Sequence, residues 1–206
     1  MERRNFITMS VFSSLVMTEM PDAFTQTSDK KPKAITNKIS KKALHPNYIP
    51  PDSPDFAGSA KIRFSQTNNQ VSFWEHVVPP KKMGPVPHVH KDLDEIMRVL
   101  EGTASVLIGN EVFEVPAGGW LIRPHGIKHT YWNAGDTTLR FIDIYPNQNF
   151  EVFLEEFIKL MQGFAEKNIQ PFSTGAIKQL DTLTTEWGIT MYYDQMKPLM
   201  DKYGVS

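Results

Sequence analysis

Between residues 60 and 145 every apolar run is cut by a turn signal before it reaches helical length. "KIRFSQT" and "VSFWEHVV" flank Asn68-Asn69, "EIMRVL" and "TASVLI" flank Glu101-Gly102, and "TASVLI" and "EVFEV" flank Gly109-Asn110. "GWLIRP", "KHTYWN" and "LRFIDIY" follow, separated by "HGI" and by the Ala134 to Thr137 turn. About eight short strands with no helix among them predict an antiparallel sandwich or barrel over residues 60–146.

The flanks differ in character. Residues 147–206 carry a helical stripe at Phe150, Phe153, Leu154, Phe157, Ile158 and Met161, with Glu155 and Lys159 paired on the opposite side. That stripe is expected to pack against the barrel or a second subunit rather than to meet a ligand. Two further helices are expected over 175–187 and 194–203, interrupted at Gly188 and Pro198. Residues 24–59 are rich in Lys, Pro, Ser, Thr and Asn and read as an irregular arm or linker.

Residues 1–23 place Arg3 and Arg4 before Phe6, Ile7 and an apolar stretch, the order of a twin-arginine export signal. The expectation is export to the periplasm. A locally packed helix on a cytoplasmic protein is the alternative, since no clear A-x-A cleavage site follows. The stretch is too short to span a membrane, so no integral span is expected in the mature protein.

The formal net charge is -1, and the basic stretch "KKPKAITNKISKK" is diluted by polar residues, which argues against a nucleic-acid partner. The chain has no cysteine, so any metal must be held by nitrogen and oxygen. Four of the six histidines fall between residues 88 and 129. His88 and His90, at i and i+2, leave the same face of an extended segment. In an unbroken strand Asp94 would share that face and Glu95 would not. A reversal or bulge in the polar, turn-prone Lys91 to Asp94 run would reset the phase in favour of Glu95, so both carboxylates stand as rivals. After the Pro124-Gly126 turn, His129, Tyr131 and Asn133 alternate onto one side of a strand.

With these residues in order, the chain resembles the cupins, specifically small single-domain cupins of the quercetin 2,3-dioxygenase-like kind. The family's first motif, G-x5-H-x-H-x3-4-E-x6-G, is met by His88, His90, Glu95 and Gly102, and the second, G-x5-P-x-G-x2-H-x3-N, by Gly118, Pro124, Gly126, His129 and Asn133. One departure is Gly84, which stands three rather than five residues before His88. The resemblance covers residues 60–146 and implies a jelly-roll barrel in which His88, His90, Glu95 and His129 bind one divalent metal ion per chain. It also implies a homodimer.

Three imidazoles and one carboxylate would leave positions on the ion for substrate or oxygen. Fe or Mn is the expected metal, with Zn, Ni, Co or Cu as alternatives. The expected activity is that of a mononuclear oxygenase acting on a small organic substrate, with Glu95 as a base. Tyr131 reads either as a donor to that substrate or as a core aromatic. A non-catalytic small-ligand-binding cupin, or a metal-dependent isomerase or lyase, is the alternative. His125 reads as a rim residue, Trp74, Trp120 and Trp132 as core or interface, and His76 and His45 as structural.

Overall fold

The computed structural model describes residues 59–206. The export segment, His45 and all but the last residue of the 24–59 arm lie outside the described residues. Two antiparallel sheets make up the core. The strands in chain order are β1 (Ser59–Ile62), β2 (Val71–Val78), β3 (Lys82–Met83), β4 (His88–His90), β5 (Glu95–Glu101), β6 (Thr103–Ile108), β7 (Glu111–Pro116), β8 (Trp120–Arg123), β9 (His129–Asn133) and β10 (Leu139–Pro146). A further strand, β11 (Ile189–Met191), comes from the C-terminal part beside helices α1 (Phe150–Glu166), α2 (Thr174–Glu186) and α3 (Met196–Tyr203). One sheet has the order β1-β2-β10-β5-β8; the other runs β11-β4-β9-β6-β7, with β3 also paired to β9. This is the antiparallel β-sandwich with C-terminal helices that the sequence pattern predicts. Among the described residues no helix is long and apolar enough to cross a membrane.

Two turn readings need correction. β5 and β6 flank Glu101-Gly102 but do not pair, because β5 bonds to β10 and β8 while β6 bonds to β7 and β9. Gly102, at φ 75°, turns the corner between the sheets, and a Cβ there would lie 2.8 Å from the Thr138 carbonyl oxygen. The expected strand "KIRFSQT" ends at Ile62, and Phe64–Thr67 form a 3₁₀ turn instead. The Thr67 hydroxyl donates to the Val71 carbonyl at 2.6 Å and accepts from the Val71 amide at 3.0 Å, so a local side-chain bond outcompetes the ladder. The β6–β7 hairpin is as expected, closing from Ile108 to Glu111 over Gly109-Asn110.

The strands alternate as their period requires, and the alternation explains where the chemistry sits. Along β10 the buried residues are Leu139, Phe141, Asp143 and Tyr145; along β5 they are Glu95, Met97 and Val99. The inner face is thus graded. At one end Val78, Met97, Val99, Val106, Leu139 and Phe141 form an apolar core, each fully buried aliphatic worth roughly 1.5–3 kcal/mol. At the other end His76, Glu95, Arg123 and Asp143 face the same interior and line a cavity.

Strand β9 is buried at all five positions. Its outward Trp132 is covered by α3, stacking on Tyr203 at 4.4 Å between centroids. The C-terminal part also extends the sheet, since β11 pairs with β4 in the register Ile189 to His90 and Met191 to His88. No strand was expected there.

Candidate metal centre

His88 and His90 leave β4 on one face, and His129 enters from β9, where it is the register partner of His88. Between β4 and β5 the chain crosses from one sheet to the other, so residues 91–94 form a turn and Glu95 opens β5 facing inward. Leu93 is buried within that turn. Asp94 faces the other way: its carboxylate accepts from the His125 amide at 2.8 Å and lies 2.7 Å from the His125 ring Nδ1. The structure therefore brings Glu95 to the histidines and takes both Asp94 and His125 out to the surface.

One ligand atom from each of His88, His90, Glu95 and His129 lies within 4.8 Å of the others, and all four residues are buried. His88 Nδ1 donates to the Val86 carbonyl at 2.8 Å and His129 Nδ1 to the Ile127 carbonyl at 3.0 Å. Because a carbonyl can only accept, these bonds put the proton on Nδ1 and leave a bare lone pair on Nε2 of each neutral ring. His129 Nε2 then stands 2.8 Å from Glu95 Oε2, and His90 Nε2 stands 3.5 Å from Glu95 Oε1. His90 Nε2, His129 Nε2 and Glu95 Oε2 are buried without a hydrogen-bond partner.

Lone pairs turned on a carboxylate in a dry interior repel unless a cation lies among them. The donor set fits a divalent ion with nitrogen and oxygen preference, and the residues present suit one metal site.

The charge states agree. Burial drives the His88 imidazole well below its ordinary value, helped by His129 and His90, so it is neutral at pH 7. Burial alone would raise the Glu95 carboxyl, but the Arg123 guanidinium beside it outweighs this and holds the group well below the usual carboxylate range. Arg123 is 1% exposed and bridges two carboxylates, with Nε 3.3 Å from Glu95 and Nη2 2.5 Å from Asp143.

Asp143 continues the network, its Oδ2 lying 3.2 Å from His76 Nε2 and accepting from the Tyr145 hydroxyl at 3.4 Å. His76 Nδ1 lies 3.3 Å from the Tyr131 hydroxyl, and its ring stacks on Phe141 at 4.7 Å. Burial pushes the Tyr131 phenol up, and Asp143 adds to it, so the hydroxyl stays protonated.

These groups line the closed end of a cavity of about 430 Å³. Its opposite end is apolar and comes from the C-terminal part: Phe153, Phe157, Ile158 and Met161 of α1, Phe172, Leu180 of α2, and Ile189 and Met191 of β11. Gly84 closes the wall between them. Its amide donates to the Tyr131 carbonyl at 2.9 Å, and a Cβ on it would lie 2.5 Å from that residue's ring.

Residues 74–145 match the cupin domain family. This segment is a cupin domain. Among solved structures, a cupin protein from Bacteroides fragilis is 23% identical, with 51% of this chain and 85% of that one covered at a TM-score of 0.43. An uncharacterized conserved protein with a double-stranded β-helix domain from Klebsiella pneumoniae is 22% identical over 50% of this chain and 85% of its own, at 0.40. A protein from Photorhabdus luminescens is 21% identical over 55% and 96%, at 0.42. No curated protein matches the sequence.

Within the cupin domain the structure also corrects residue readings. His76, read as structural, lines the cavity between Asp143 and Tyr131. Trp74 is in the core, as read, and also lines the cavity. Arg123, Asp143 and Tyr145 carry no motif signal. Strand parity could have flagged Asp143, two residues from both Phe141 and Tyr145 on an otherwise apolar face. Asn133, which shares the face of His129, donates its amide to the carbonyls of Val78, Pro79 and Thr137 and fixes the strand end instead. Beyond the cupin domain, the α1 stripe both packs on the barrel and faces the cavity, contrary to the expectation of packing alone.

Proposed function

We propose that the protein is a mononuclear metal-dependent oxygenase acting on a small organic substrate. One observation carries the reading: three imidazoles and one carboxylate converge, with unpartnered lone pairs, on the polar end of a cavity large enough for such a substrate. His88, His90, His129 and Glu95 would hold the ion. A bound iron or manganese ion would supply Lewis acidity and electron transfer to oxygen, with positions left open beyond the protein ligands. Glu95, ionised in the folded protein and lining the cavity, would take a proton from the substrate head. The protonated Tyr131 hydroxyl lines the same space and would turn from His76 Nδ1, 3.3 Å away, to donate to the substrate. The α1 residues give the far side an apolar wall.

The test loads the protein anaerobically with Fe²⁺ or Mn²⁺, then supplies oxygen with a panel of flavonols, β-diketones and catechols. Oxygen uptake that disappears in His90→Ala is the expected result. Metal content should fall from one ion per chain to none in both Glu95→Ala and His129→Ala; unchanged content in both would overturn the ligand set. One observation favours a second reading, a metal-dependent isomerase or lyase: the His76–Asp143 pair beside the cavity is a proton-transfer device that needs no oxygen. Turnover of a panel member without oxygen would select it.

The proposal extends to the choice of metal and its place of loading. Nitrogen and oxygen sites bind Cu²⁺ and Zn²⁺ more tightly than Fe²⁺ or Mn²⁺, so folding around the weaker ion before twin-arginine export would protect the site. Protein recovered from the periplasm of its host should carry Fe or Mn. Copper, or a wholly cytoplasmic protein, would refute this part.

A further inference from the structure

Resting on that metal-site reading, we propose that the substrate is a singly charged anion with an apolar aryl or alkyl body. Its head sits at the metal centre, and its body is selected largely by the C-terminal part.

Charge sets the head. Besides histidines and tyrosines, the acidic and basic side chains that line the cavity are Glu95, Asp143 and Arg123, two carboxylates against one guanidinium, and an imidazole that binds an ion through its lone pair adds no charge. A divalent ion turns this into one net positive charge, and a carboxylate, enolate or phenolate cancels it. No lysine and no further arginine lines the space, so a dianion such as a phosphate ester would bring an uncompensated charge into a buried site. Arg123 is held at both ends by Glu95 and Asp143 and has no free fork to offer.

The body follows from the other wall. Phe157, Ile158, Met161, Met191 and Phe172 present carbon to the cavity. The nearby Tyr193 hydroxyl already donates to Asp181 at 3.0 Å and so has no proton to offer a sugar hydroxyl. A polyhydroxylated ligand would therefore lose hydrogen bonds to water that this wall does not replace. Ile158 and Phe172 are 38% and 56% exposed while lining the cavity, so they mark its mouth and the side from which the body enters. The volume of about 430 Å³ admits a ligand on the order of a dozen non-hydrogen atoms. Every one of these five wall residues lies outside the 74–145 match, while Trp74, Val77 and Val86 within it complete the apolar lining.

The test uses the full chain loaded with Zn²⁺, which is redox-silent, and measures binding by calorimetry. The probes are unbranched monocarboxylic acids from four to ten carbons, their primary amides, and the matching alkylamines. Affinity for the acids should rise about three- to fourfold per added methylene, and each amide should bind at least tenfold more weakly than its acid. In the Ile158→Gln, Met161→Gln double variant the gain per methylene should fall below about twofold, with metal content and acetate affinity unchanged.

In metal-free protein the order of head groups should reverse, the amine exceeding the acid, while the chain-length gain persists. Wild-type affinity independent of chain length, amide binding equal to acid binding in the Zn²⁺ form, or tighter binding of a dicarboxylate or a hexose would overturn the proposal. Because these readouts need no turnover, they separate from the oxygenase reading. A chain-length gain and acid preference in a protein that never consumes oxygen would sink oxygenation and keep the substrate class. Oxygen consumption with flat chain-length dependence would do the opposite.

Discussion

The two ends of the cavity are built on opposite physical terms. The closed end is a chain of charges: Glu95, Arg123, Asp143 and His76 lie within 3.3 Å of one another in sequence along the network, and none is more than 16% exposed at its side chain. The open end is held by aromatic packing, with Phe150 stacked on Phe153 at 4.8 Å and Trp187 against both. Each buried ion depends on its partners, because a lone charge in the interior is worth more to lose than a pair is to gain. Each apolar side chain contributes on its own, roughly in proportion to its area. The polar end should therefore fail as a unit and the apolar end by degrees.

The sharpest break is Arg123→Leu. It removes the cation between two buried carboxylates, and we expect a loss of about 3–5 kcal/mol at pH 7 by chemical denaturation of metal-free protein. The deficit should depend on pH. In the wild type the Glu95 carboxyl is held low, so its contribution is present above the ordinary carboxylate value and lost as pH falls through the folded value. In the variant burial would raise that carboxyl, and a raised group favours the folded state at low pH. The difference between the two proteins should shrink as pH falls from 7 toward 4. A deficit constant with pH would mean that Arg123 acts through packing.

Phe153→Leu probes the other end. Phe153 is 7% exposed, and the loss of ring contacts with Phe150 and Trp187 should cost about 1–2 kcal/mol, with no pH dependence between 4 and 7. Metal content should not change. A loss as large as that of Arg123→Leu, or a change in metal content, would show that the two ends are not separable.

The same contrast decides what was legible in the sequence. His88, His90, Glu95 and His129 stand in a spaced pattern that a strand period can interpret, and the fold class followed from short strands punctuated by turns. Arg123, Asp143 and His76 lie on three strands and become a network only through sheet order: β10 between β2 and β5, and β8 beyond β5. Single-strand periodicity carries no information about which strands are neighbours. The α1 stripe was legible as apolar, yet a stripe that faces a core and one that faces a cavity have the same period. β11 was missed for a similar reason, since three residues after a helix give no periodic signal and their pairing with β4 is long-range.

The smallest expected effect bears on the choice of carboxylate. Asp94 and Glu95 are adjacent in sequence and were rivals on strand parity; the turn at residues 91–94 sends one outward and the other in. The His125 amide and ring lower the Asp94 carboxyl, but the pair is about half exposed, with side chains 55% and 47% accessible. In Asp94→Asn we expect a loss of about 0.5 kcal/mol or less, because solvent screens an exposed pair. Its sign follows from the lowered carboxyl: the contribution is present above the ordinary aspartate value and disappears as pH falls through the folded one, so variant and wild type should converge in acid. Metal content of Asp94→Asn should equal that of the wild type while Glu95→Ala loses the ion. The reverse pattern would mean that the chain does not reverse at residues 91–94, and the inward register of β5, with Met97 and Val99 on the same face, would fall with it.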